Sequence, residues 1–405
     1  MSLLASAAAV PMRPERSRLN ADRSGSGVGS AESPLEMTSV STERTLFVAL
    51  AAVLVGFGIL MVHTASITSR PTEFEEIYLS RHLVFLTIGV VAASLAAHVR
   101  SAQWQRFAPL LFAGTLVLLA LVLIPGIGTR VKGAQRWIRL SFVSVQPAEI
   151  CKVTLTLVLA TLVHRRRAQL RHWWRGTVPL VMPVILAVPF ILLQPDLGTS
   201  LFLSLSAGGL LFVAGWPLRN FLIGLAVLIP PLIWLVLNKP YQLQRITGFI
   251  ATWSDWSNAP YQLKQSLVTL GAGGFWGVGL GRGYQKLSFL PEANTDFVFA
   301  VIGEEVGLVG SLAVLACWGG LYICGLRMIH RLPRDSFEFL ASFTLLHQLL
   351  LQVLINVAVV TALVPPKGIP HPLLSCGGSN LVMSLVTLGL ILGLSDLRRG
   401  AAARG

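Results

Sequence analysis

Charge is what this chain has least of. Asp, Glu, Lys and Arg make up 12% of its 405 residues, where soluble domains carry about 25%. With 54% hydrophobic residues, that scarcity excludes an ordinary soluble fold and points to a chain that buries its apolar surface in lipid. Acidic residues are scarcer than basic ones, 18 against 32. The excess of cations does not imply nucleic acid, because Lys and Arg on the loops of a membrane protein are topology signals. Cysteine is rare too. Cys151, Cys317, Cys324 and Cys376 have no paired metal-ligand spacing, so neither a zinc site nor a disulfide is expected. Three sit in apolar segments and read as small buried hydrophobes. Residues 1–44 lack apolar periodicity and are rich in Ser, Ala, Pro and Arg. They read as a disordered cytoplasmic tail, and the Leu3–Val10 run is too short for a signal-peptide core.

Long apolar runs are abundant. Ten reach toward the ~20 residues needed to cross a bilayer: 45–66, 82–99, 107–124, 149–164, 177–194, 197–215, 218–237, 297–325, 339–363 and 379–396. The expected fold is an all-α polytopic membrane protein of ten transmembrane helices. The membrane domain spans 45–397, a large extracytoplasmic loop of about 238–296 separates helices seven and eight, and 398–405 form a second tail. Pro195 and Asp196 split one long apolar stretch and read as a surface turn.

Ten spans put both termini on one side. That side carries nineteen Lys and Arg and the other twelve, so both termini are expected in the cytoplasm. The loop 125–147 breaks the pattern. It falls outside yet carries Arg130, Lys132, Arg136 and Arg139, as a loop that meets an anionic ligand would. In the larger loop, Gly271–Gly283 is glycine-rich. A phosphate cradle would need a strand before it and a helix after it, neither expected here. A flexible or re-entrant segment is the better reading.

Carboxylates at a membrane boundary are costly and suggest function. Glu292 and Asp296 stand at the mouth of a span, with Glu304 and Glu305 in its next turns and Arg282 and Lys286 before it. Asp296 reads either as a helix cap or as a base in a polar cavity. Such a base, with cations near it, suits deprotonation of a hydroxyl and departure of a phosphate. Glu149 and Lys152 share one helical face and read as an ion pair or as a strut for the basic loop. Asp196 either caps the helix after it or pairs with an outer cation. Pro365–Pro372 is stiff and carries Lys367. It and Ser375–Ser379 read as a turn ending in an N-cap at Ser379, or as a phosphate site at a helix N-terminus. His371 reads as structural.

Seven stretches in order resemble the SEDS family of membrane peptidoglycan polymerases (shape, elongation, division, sporulation). They are Gly58–Ser66, Gly133-Ala-Gln-Arg-Trp-Ile138, Gln146-Pro-Ala-Glu-Ile-Cys-Lys152, Gln194-Pro-Asp-Leu-Gly-Thr199, Gln285–Phe299, Gly303-Glu-Glu-Val-Gly307, and Lys367-Gly with Ser375-Cys-Gly-Gly-Ser379. The resemblance covers about 45–397. Leu290-Pro-Glu-Ala293 and Ile302-Gly-Glu-Glu305 look more like the division member than the elongation member. The resemblance implies an inverting glycosyltransferase that uses lipid II at the outer face of the cytoplasmic membrane. Undecaprenyl pyrophosphate leaves, and Asp296 matches the family's essential aspartate, as general base on the acceptor hydroxyl. Arg136, Lys367 and Lys286 would neutralise the pyrophosphate, with Glu292 among the substrate-binding residues. Glu149, Lys152, Asp196, Glu304 and Glu305 would give polar support. No cofactor is called for, although a divalent cation (Mg or Mn) could share the neutralising role. The implied partners are lipid II, the growing glycan strand, a class B penicillin-binding protein transpeptidase and other division proteins. The Arg-rich tail could meet a division protein or anionic membrane lipid. Three residues depart from the family pattern: Asn294 for the usual His, Cys376 for a usual Tyr and Ala148 for a usual Ser. Two alternatives, a lipid II flippase and a division scaffold, use the same groups. A flippase needs a polar path through the bilayer, whereas these acidic groups cluster on the outer half, which favours the enzyme.

Overall fold

A computed structural model describes residues 34–66, 74–131, 133–140, 143–287 and 289–396. Most of the expected N-terminal tail, Lys132 and the second tail lie outside them. The chain divides at Ser39 into a short N-terminal unit and a large one, Val40–Gly405, which holds the membrane bundle and its loops.

The described residues form twelve α-helices: α1 (Pro34–Ser66), α2 (Phe74–His98), α3 (Ser101–Leu121), α4 (Pro147–Arg166), α5 (Val178–Leu193), α6 (Leu197–Val213), α7 (Leu218–Asn238), α8 (Pro240–Ser254), α9 (Tyr261–Gly273), α10 (Val298–His330), α11 (Phe337–Val360) and α12 (Gly378–Leu394). Seven of these segments are long and apolar enough to cross a membrane; α6, α12 and Leu218–Pro231 of α7 are shorter apolar helices. Helix α1 starts inside the stretch expected to be tail, ten residues before the boundary drawn at 44–45.

The least apolar span is the most enclosed by protein, as suits a helix whose polar side chains cannot face lipid. The α4 segment is the least apolar of the seven, yet 83% of its best window is buried, against 28% for α1, the most apolar. Helix α4 sits among α3, α5, α6, α11 and α12, and its threonines close on protein: Thr154 Oγ1 donates to Thr115 Oγ1 at 3.1 Å. Small residues let α2 and α12 approach closely. A Cβ on Gly389 would fall 2.2 Å from the Ala93 carbonyl oxygen, and one on Gly393 2.7 Å from that of Ala97.

Two loops hold more structure than their composition announced. The basic loop contains an antiparallel sheet, β1 (Gly128–Val131), β2 (Ala134–Leu140) and β3 (Val143–Val145), in the order β1-β2-β3. Ile138 is opposite Gly128 on one side and Val145 on the other. The larger loop contains α8 and α9.

Helix α10 is not the continuous span expected. It breaks at Gly307, whose φ of 69° and ψ of −167° are outside the helical region and suit glycine alone. A break leaves helix-end carbonyls and amides without partners, and the glycine-rich run supplies them. Val278 N and Gly279 N donate to the carbonyls of Glu304 and Glu305 at 2.9 and 3.0 Å, while Leu308 N and Val309 N donate to those of Gly274 and Phe275 at 2.9 and 3.2 Å. The glycines are needed for this approach: a Cβ on Gly277 would sit 2.2 Å from the Glu305 carbonyl oxygen. The run is therefore a strap across a broken helix.

Candidate active site

The N-termini of α4, α6, α10 and α12 gather at one end of the bundle. Ser379 joins two of them: its Oγ donates to Ser144 O and accepts from Gln146 N, both at 3.0 Å. It is not the cap anticipated for α12. That position belongs to Gly377, which has no side chain to cap with.

Asp296 lies half-buried in the turn before α10. It is not the cap of that helix either, since Phe297 holds the N-cap position and makes no side-chain bond there. The turn is built by Glu292. Its φ of 59° is left-handed, and its carbonyl accepts from both Thr295 N and Phe297 N at 3.1 Å. Its Oε2 accepts from Thr295 Oγ1 at 2.7 Å. Three consecutive carbonyls are then held by the segment around α11 and α12. Asn294 O accepts from Cys376 N at 2.8 Å, Thr295 O from Ser375 Oγ at 2.6 Å, and Asp296 O from Asn356 Nδ2 at 2.8 Å. On its other side the Asp296 carboxylate meets Gly368 so closely that a Cβ there would be 2.8 Å from Oδ2.

Lys367 precedes that glycine, its chain against Gly198 at the start of α6. Burial pushes the Lys367 ammonium below the usual lysine range. Arg245 pushes the same way and Asp196 opposes both. Arg245 Nη1 donates to Pro366 O at 3.1 Å. Asp196 meets both expectations set for it. It caps α6 by accepting from Thr199 N at 3.1 Å, and it faces Arg136 Nη1 at 3.6 Å. Arg136, on β2, also donates to Gln194 O at 3.2 Å and Pro195 O at 2.6 Å. It thus braces the α5–α6 turn.

Lys286 is where expectation and structure part. Its ammonium is 2.5 Å from Glu305 Oε1, with both side chains fully enclosed. Such a lysine is a strut under the strap and not a cation free to meet a phosphate. Glu305 Oε2 accepts from Gly281 N at 3.1 Å, and Glu304 Oε1 from Tyr284 N and Gln285 N at 2.8 and 3.1 Å. Both support the strap.

Glu149 and Lys152 form the expected ion pair at 2.7 Å. Lys152 also donates to Gln352 Oε1 at 3.0 Å, and Gln352 Nε2 donates to Pro370 O and Asn380 Oδ1 at 2.9 and 2.7 Å. The core network thereby reaches the loop that carries Lys367. His371, fully buried beside Phe299 and Trp318, has its pKa pushed down by burial to about 4. It is neutral and fills space. Gln352, Asn356 and Arg245 were not singled out from the sequence, and Gly368 only as part of the Lys367-Gly stretch. A signal for two of them was present: Gln348, Gln352 and Asn356 repeat every four residues, a polar stripe on one face of an apolar helix. Among the described residues no three of His, Cys, Asp and Glu gather as a metal site.

The family model for FtsW, RodA and SpoVE cell cycle proteins matches residues 44–400. A Geobacter protein named "Probable peptidoglycan glycosyltransferase FtsW" is 38% identical over 356 residues, 87% of this chain and 96% of its own. A protein of the same name from Alkalilimnicola ehrlichii is 41% identical over 358 residues, 86% and 88% of the two chains. Among solved structures, one described as "Structural coordination of polymerization and crosslinking by a peptidoglycan synthase complex" has a chain that superposes with a TM-score of 0.71. It is 30% identical, with 87% of this chain and 97% of that one covered. The rod shape determining protein RodA of Thermus thermophilus gives 0.63 at 29% identity, covering 86% and 95%. Its motifs, its broken-helix bundle and these likenesses make the chain a member of the FtsW/RodA/SpoVE family of multi-pass membrane proteins.

Proposed function

We propose that the chain polymerises lipid II into glycan strands at the outer face of the cytoplasmic membrane during division. Asp296 acts as general base and undecaprenyl pyrophosphate leaves. The chain is a glycosyltransferase of the peptidoglycan class, and its site supports the finer steps. The observation that carries them is the Asp296 carboxylate, just before α10, set against the Lys367–Gly368 segment, whose lysine lies against the start of α6. Helix N-termini favour anions, and Lys367, Arg245 and Arg136 add fixed positive charge at a membrane boundary, where it acts strongly. A carboxylate beside such a site can take the proton of an acceptor 4-hydroxyl while charge builds on the departing pyrophosphate. Inversion needs no covalent intermediate, so one base suffices.

A hard divalent cation, Mg or Mn, needs only one or two carboxylates when substrate phosphates supply the other oxygens. Among the described residues no three of His, Cys, Asp and Glu gather to hold it, so such a cation would be carried by the substrate's own phosphate oxygens, offset pyrophosphate charge and leave Asp296 as the base. The likeness to a chain of a synthase complex supports a crosslinking partner, a class B penicillin-binding protein. Ten crossings with both termini in the cytoplasm remain the topology we favour, with the three shorter apolar helices completing the count.

The purified chain with its transpeptidase tests the reaction. Release of undecaprenyl pyrophosphate in step with glycan growth is expected. Movement of lipid II across a vesicle membrane without such release would support the flippase instead.

A further inference from the structure

We infer that Asn356 is the positioning residue for Asp296. Its single amide group ties the Asp296 backbone to the Lys367–Gly368 segment and so sets where the carboxylate stands. The inference rests on Asp296 being the base proposed above.

Asn356 lies on α11 and is fully buried. Its Nδ2 has two hydrogens, and both are spent on backbone carbonyls far apart in sequence, Asp296 O at 2.8 Å and Ile369 O at 2.9 Å. Ser375 Oγ and Cys376 N hold the two preceding carbonyls, but neither bond joins the Asp296 residue itself to residue 369. Gly368 is the other half of the device. It has no Cβ where one would crowd Asp296 Oδ2 at 2.8 Å. One residue draws the two segments together and the other leaves room for the carboxylate between them. Without the amide, both carbonyls lose the donor it gives them and the segments can part. A shift of about 1 Å in a reacting group costs on the order of a hundredfold in rate.

The test uses the full chain with its partner transpeptidase in lipid II polymerisation. The variants are Asn356→Leu, Asn356→Gln, Gly368→Ala and Asp296→Asn, with Asn220→Leu as a control for lost packing. Asn220 is buried and donates to Thr177 Oγ1 at 2.8 Å, among residues outside the site. For Asn356→Leu we expect kcat to fall about a hundredfold with KM within about twofold, the signature of an interaction used in the transition state, and the acid limb of the pH–rate profile to move. Asn356→Gln should recover part of the rate. Asn220→Leu should lower Tm and leave kcat alone. If Asn356→Leu fails to fold, Gly368→Ala carries the test: its site is exposed, so kcat should fall at unchanged Tm. Wild-type kcat and pH profile in Asn356→Leu, or in Gly368→Ala where that variant carries the test, overturn the inference, as does a kcat loss that tracks Tm equally in Asn356→Leu and Asn220→Leu. Asp296→Asn separates the two claims. Full activity there defeats the base itself, whereas an inactive Asp296→Asn beside a fully active Asn356→Leu defeats only the positioning role.

Discussion

Replacing Lys286 by Met tests whether that lysine is a strut or a substrate ligand. Its ammonium is 2.5 Å from Glu305 Oε1 with no solvent on either side chain. At that separation the Coulomb attraction is about 7 kcal/mol for an effective dielectric constant near 20. Removing both ions from water costs several kcal/mol each, so the pair as a whole contributes little net stability. Removing one partner is different. It leaves Glu305 buried without its cation, at a cost of about 3–5 kcal/mol, a large share of the ~5–15 kcal/mol that holds a domain together. Lys286→Met should therefore express poorly and melt well below wild type in detergent. The double variant Lys286→Met/Glu305→Gln should recover most of the loss. Gln can still accept from Gly281 N, and no buried charge remains. The assay is thermal unfolding of all three proteins, with KM for lipid II measured on the wild type and the double variant. A strut predicts restored Tm and a KM within about twofold of wild type. A double variant that is stable yet needs far more lipid II would refute the reasoning and return Lys286 to the substrate.

Two further outcomes concern the strap and Lys367. Gly307→Ala must force a Cβ to 2.4 Å from Gly277 N in a backbone region costing about 1–3 kcal/mol. It should lower Tm and open the 274–283 segment to protease, and wild-type protease resistance would count against the strap. Lys367→Met concerns pH. Burial holds the Lys367 pKa below its ordinary value, so above the lowered pKa and below the ordinary one the unfolded chain binds more protons and wild-type stability rises with pH. Below that window the folded chain carries a desolvated charge, which Met removes. Lys367→Met should melt higher than wild type near neutrality, and the gap should close toward pH ~10. A gap that widens with pH would reverse the sign and contradict the burial argument.

How much of the fold and site was legible in the sequence depended on the kind of signal. Asp296 stood out as a candidate because a carboxylate beside an apolar run is costly, and the structure removes its competing reading as the cap of α10. The pair Glu149–Lys152 showed in its spacing, and both roles of Asp196 showed in its place between two apolar runs. The sheet at 128–145 did not show, because its strands are short and their basic residues hide the alternation. Lys286 misled for a related reason: a lysine in a polar loop looks free, and only the fold encloses it on Glu305. The break at Gly307 stood beside Gly303, Glu304 and Glu305 inside an otherwise apolar run, but that local signal does not tell that the helix backbone is completed by a segment well before it in sequence. Asn356 was legible in principle, as the last member of the stripe with Gln348 and Gln352. Its meaning still required knowing that Asp296 and Ile369 meet it.

The central claim is tested most directly by incubating lipid II with this chain purified together with the class B penicillin-binding protein proposed as its partner, wild type against Asp296→Asn. General-base catalysis is worth about a hundredfold to ten-thousandfold. The account predicts glycan ladders from the wild type and none from an equally stable Asp296→Asn protein over the same time. Ladders of equal length and rate from both would contradict it.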